Sequence, residues 1–118
     1  MAKTTKADFE AFKKTAQGVV DKLGITDYDL SFVHDDDDDD GRLGWTGANL
    51  EAMVAKIGLV VDWDEHPTDR QIILDVAKHE ALELLLIEFQ ILAQERGTTK
   101  KQLDKARHRA INRLMRLV

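Results

Sequence analysis

Apolar positions in this chain switch period several times, and each switch marks an element. Phe9, Phe12, Ala16, Val19, Val20 and Leu23 recur at helical spacing. Thr5 with Asp8 three residues on forms a capping pattern before them, and Gly24 ends the run. A helix over 5–23 is predicted. Tyr28, Leu30, Phe32 and His34 then alternate with Asp29, Ser31 and Val33, the pattern of a strand. "RLGWTGANL" and "MVAKIGLVVDW" resume strand character after an acidic loop. In the second of these, Met53, Ala55, Ile57, Leu59, Val61 and Trp63 fall on one face. A short helical turn between Asn49 and Met53 separates them. Pro67 breaks the extended run, and Thr68 or Asp69 caps a long helix that runs to about Gly97. Thr99 and Gln102 repeat the capping box, and a last helix follows from Lys100 to the end of the sequence. The expected class is α+β, with an N-terminal helix, a two- or three-stranded antiparallel or mixed sheet, a long helix and a C-terminal helix.

The 118 residues fit one domain, 1–118, and no internal repeat is visible. No apolar run is long enough for a bilayer, and the first residues lack the apolar core of a signal peptide. Cysteine is absent, which removes disulfides and thiolate zinc sites and suits a reducing cytoplasm. The net charge is −5, with acid concentrated in Asp35 to Asp40 and base concentrated from Arg96 onward. A basic terminal helix is favoured by the helix dipole, and the overall charge repels a polyanion. Nucleic acid is therefore not an expected partner.

Candidate chemistry sits in "VAKHEALELLLIE", residues 76–88. His79 and Glu83 are one helical turn apart, a spacing at which both can hold one metal ion. Glu80 follows the histidine, where an HExxH helix carries its general base. The second histidine of that motif is replaced by Glu83. The same residues also read as an ion pair of His79 with Glu83 or Asp75 on a core helix. The helix is apolar around most of its circumference, with Leu82, Leu84, Leu85, Leu86, Ile87 and Phe89, and is expected to be central and buried. His108, beside Ile111 and Met115 on the last helix, can point inward.

Taken together, "VAKHEALELLL" and "ARHRAINRL" resemble the small single-domain zincin-like metallopeptidases encoded by phages and prophages. The resemblance covers residues 28–118 in element order and is specific in those two segments. It implies a zinc ion held by His79, Glu83 and His108, with Glu80 as general base. It implies hydrolysis of a peptide or amide bond, in the cytoplasm of the host cell where the chain is phage-encoded. Glu83 departs from the family pattern, since a carboxylate lowers the charge of the site and acidifies the bound water less. The same departure fits a catalytically degenerate zincin-like protein that binds a host or phage protein.

Three smaller signals remain. Asp36, Asp38, Asp40 and Gly41 match the first half of a calcium loop, but Gly47 stands where a bidentate Glu is needed. A solvated acidic loop is the expectation there. His34 is expected to make a salt link to those carboxylates, and His66 to lie exposed in a turn.

Overall fold

The computed structural model describes residues 2–36, 41–95 and 97–117. The chain order is β1 (Ala2–Lys3), α1 (Lys6–Leu23), β2 (Asp29–Asp35), β3 (Gly44–Asn49), β4 (Val54–Val60), β5 (Asp62–Asp64), α2 (Arg70–Gln94), α3 (Lys100–Leu114) and a final 3-10 turn at Met115–Leu117. The class is α+β, as the hydrophobic periods predict.

Capping chemistry sets the helix ends. The Thr5 hydroxyl accepts from Asp8 N–H, and the Asp8 carboxylate accepts from Thr5 N–H, so two otherwise unpaired donors are satisfied. Gly24 closes α1 in the left-handed region at φ 71°. The Arg116 guanidinium packs where a Cβ on Gly24 would sit, bringing a cation to the helix C-terminus. Thr99 and Gln102 form the same box on α3. Asp69 is the N-cap of α2 but makes no side-chain capping bond.

The main sheet has three strands in the order β2-β4-β3. β2 runs parallel to β4, pairing Phe32 with Ile57, and β3 runs antiparallel to it, pairing Thr46 with Ile57. β1 and β5 form a separate two-stranded ribbon. The expected single face from Met53 to Trp63 breaks after β4. Asn49 caps the turn before β4 through a bond from Ala52 N–H, and Met53 takes a positive φ of 53°.

One sheet face is covered by helices. Ala55, Ile57 and Leu59 are buried in one cluster with Phe12, Ala16, Val20 and Leu23 of α1 and Ile73, Ala77, Ala81 and Leu84 of α2. The other face carries exposed Ser31 and Lys56. His34 turns to the helical side. Its ring stacks on Phe9 at 4.9 Å, and its Nε2 lies 2.8 Å from Thr4 Oγ1. The Thr4 hydroxyl has the Val60 carbonyl as acceptor at 2.9 Å, so His34 supplies the N–H of the pair. His34 thus ties the N-terminal segment to the sheet and does not make the salt link expected from its neighbours in sequence.

α3 returns beside the second half of α2. The Glu88–Arg109 ion pair joins the two helices, and Arg113 donates to Asp27 at 2.8 Å. The expectation that α2 is central and buried is met on one face of the helix. Its inward face carries Ile73, Ala77, Ala81, Leu84, Leu85 and Ile87, while Leu82, Leu86 and Phe89 remain exposed.

Candidate functional site

The candidate residues of α2 divide between two sides of the helix. Successive residues are about 100° apart on a helix, so His79 and Glu80 necessarily diverge. The core takes Glu80, which is 7% exposed, and His79 faces water. Gly44 lets β3 come close to this turn of α2. A Cβ there would lie 2.8 Å from Val76 Cγ1 and 3.3 Å from Glu80 Cγ.

Two residues along β3, the Thr46 hydroxyl lies 2.9 Å from both the Glu80 carbonyl oxygen and Glu80 Oε1. A single hydroxyl hydrogen cannot serve two acceptors fully. The Thr46 hydroxyl is therefore shared between the Glu80 carbonyl oxygen and the Glu80 carboxylate, both of which accept. Desolvation by burial is the largest influence on Glu80 and raises its pKa. The Thr46 bond, His79 and Arg42 pull it down, and Glu83 pushes it up.

A carboxyl whose folded pKa is raised binds its proton more tightly when folded. Stability from this group is complete below the ordinary value of 4.5 and falls as pH rises through the window just above it. Glu80→Gln keeps an acceptor for the Thr46 hydroxyl and has no charge to bury. The substitution is expected to raise the melting temperature at pH 7 and to flatten its change between pH 5 and pH 7. Thermal unfolding of the two proteins at both pH values checks this.

His79 Nε2 and Glu83 Oε1 are 3.3 Å apart, with side chains 68% and 44% exposed. The predicted neighbours on one turn therefore do meet, in a side-chain contact at the surface. His108 is not brought to them. The inward residues of α3 are Ala106 and Ala110, and His108 is exposed. The Glu88–Arg109 contact places that part of α3 five residues beyond Glu83, about 7.5 Å further along the axis. Among the described residues, no three His, Asp or Glu side chains are grouped to hold a metal ion. A tetrahedral catalytic zinc needs three protein ligands around one point, and the geometry supplies two on a solvated helix face. The residues present do not fit that shell.

Asp36 of the candidate calcium loop accepts from Asp62 N–H at 3.1 Å. Asp38 and Asp40 lie outside the described residues. His66 is exposed, and its Nδ1 lies 3.0 Å from the Pro67 carbonyl oxygen.

Sequence reasoning passed over Thr46 and the outer edge of β3. Val60 N–H donates to the Leu43 carbonyl, which fixes 43/60 as a hydrogen-bonded position in the antiparallel pair. Bonded and non-bonded positions alternate, so Trp45 and Gly47 bond to β4. The backbone groups of Gly44, Thr46 and Ala48 then point away from β4. No strand pairs with that edge among the described residues. Among those residues, no helix is long and apolar enough to cross a membrane.

Comparison with protein-family models, curated proteins and solved structures returns no match.

Proposed function

We propose that this chain is a protein-binding domain on a zincin-like scaffold, which takes up an extended peptide segment along β3 and does not hydrolyse it. One observation carries the proposal: His79 faces solvent while Glu80, its neighbour, is turned under β3 and bonded to Thr46. A base for metal-bound water has to share a space with the metal ligands. Here the base is held by the scaffold and the two ligands lie outside it.

The open edge of β3 supplies the means of binding. Its outward N–H and C=O groups can add a strand from a partner, with main-chain bonds giving affinity. Such an edge is otherwise a liability that folded proteins cover, charge or shorten. An extended segment of a host or phage protein in the cytoplasm fits this chemistry.

Zinc-dependent peptide hydrolysis is the second reading. It is favoured by the 3.3 Å approach of His79 to Glu83 and by the raised pKa of Glu80 beside them. The two differ in what happens to a retained peptide.

Ala48→Pro separates them. The proline removes an outward donor of β3 and leaves the bonds to β4 in place. On an array of extended peptides, the wild-type chain is expected to retain a subset intact, and Ala48→Pro to weaken retention at least about tenfold. Cleavage of retained peptides by the wild type, abolished in Glu80→Gln, would establish the hydrolase instead.

A further inference from the structure

The second half of α2 has an apolar face that the rest of the chain does not cover. Leu82, Leu86 and Phe89 are 39%, 49% and 38% exposed, and Ala93 on the same face is exposed too. Their spacings are four, three and four residues. That is the repeat of a coiled-coil seam, in which the apolar rows of two helices interlock. Single exposed leucines are ordinary on a protein surface, but a heptad-spaced row is not scatter.

The chain as a whole exposes more surface than a compact monomer of its mass. The chain exposes 7507 Å², against about 6,500 Å² for a typical folded monomer of 13.4 kDa. The excess, about 1,000 Å², is spread over the whole chain and includes the apolar row of α2 together with exposed Ile111, Leu114, Met115 and Leu117. The shape is extended as well. Its radius of gyration is 15.1 Å, against about 13.5 Å for a compact domain of this length. α2, at 25 residues, is about 37 Å long, enough to offer its second half to a partner.

We infer that this face pairs with a second copy of the chain, α2 against α2 and antiparallel, about a two-fold axis near residues 86 to 89. Antiparallel pairing sets Leu86 against Phe89 of the other copy and Leu82 against Ala93, large residues against smaller or offset ones. It also brings the Lys78 end of each helix to the Glu95 end of the other. Parallel pairing would align the two helix dipoles, which antiparallel pairing opposes. The row is self-complementary, as a two-fold interface requires. The interface leaves the β3 edge free, because Val76 and Glu80 face β3 while Leu82, Leu86 and Phe89 do not. The dimer would present two such edges.

Analytical ultracentrifugation of the full chain tests this. At about 100 µM the wild type is expected to sediment at twice the 13.4 kDa chain mass, dissociating on dilution. Leu86→Glu is expected to raise the dissociation constant at least about thirtyfold, with an unchanged far-UV circular dichroism spectrum. The chain has no cysteine, so L86C can be joined by a short bis-maleimide with no competing thiol. Cross-linked dimer is expected from L86C, whose folding the substitution of an exposed residue leaves intact, and not from K13C on the exposed face of α1. A wild type that stays monomeric at about 100 µM, a dimer unaffected by Leu86→Glu, or equal cross-linking of L86C and K13C would each overturn the inference.

Discussion

Phe12→Ala is expected to lower the free energy of unfolding by about 3–5 kcal/mol. Phe12 is fully buried and is the largest such side chain in the core. It lies in the layer where α1 meets α2 and the sheet, in contact with a cluster that includes Ile57 and Leu84. Truncation removes the transfer energy of the ring and leaves a cavity bounded by two helices and a strand. Those walls are held by the capping box of α1 and by the ladder of β4, so they cannot collapse inward easily. A domain of this size has about 5–15 kcal/mol in total, so the loss removes a large share of it. Urea unfolding with an unchanged slope and a lower midpoint is the expected record.

Gly58→Val ranks next. Gly58 is central in β4 and pairs across the strands with Trp45. The indole lies directly over the glycine, and a Cβ built there would stand 2.2 Å from two of its ring atoms. The wall here is a large ring on the neighbouring strand and not the tip of a flexible chain. A branched side chain forces Trp45 off the sheet and drags β3 with it. The expected loss is about 3 kcal/mol or more, at the upper end of overpacking effects. The consequence reaches the site, because Thr46 is the next residue along β3. Weaker peptide retention in folded Gly58→Val protein is expected alongside the lower urea midpoint.

Much of the fold is legible in the sequence, for local reasons. Thr5 with Asp8, Thr99 with Gln102, and Gly24 mark helix ends by bonds that span only a few residues. The alternation from Leu30 to His34 marks a strand, and β2 spans Asp29–Asp35. Other features depend on distant partners. The ribbon of β1 and β5 joins residues about sixty apart in sequence and has two or three residues a side. His34 finds Thr4 and Phe9 because α1 crosses that corner of the sheet, which no nearby residue announces.

The site divides along the same line. The meeting of His79 with Glu83 needs only helical spacing and is found as predicted. The orientation of α2 is different. Its apolar residues surround the helix, so periodicity assigns no inward face, and tertiary packing against α1 and β3 decides it. That decision puts Glu80 under β3, with His79 and His108 in solvent. The small residues Ala77, Ala81 and Gly44 are the one sequence signal for it, since close helix–sheet contact requires them. The leucine-rich pattern predicts a central, buried α2, and Leu82, Leu86 and Phe89 are the large apolar residues of that helix left exposed.

The most direct test of the proposal is a calorimetric zinc titration of the metal-free chain beside the His108→Ala variant. Two surface ligands on one helix turn give weak binding that does not depend on His108. The expected result is no 1:1 site tighter than about 10 µM and no difference between the two proteins. A stoichiometric site of submicromolar affinity that is lost in His108→Ala would contradict it, and would show that His79, Glu83 and His108 gather around one metal ion.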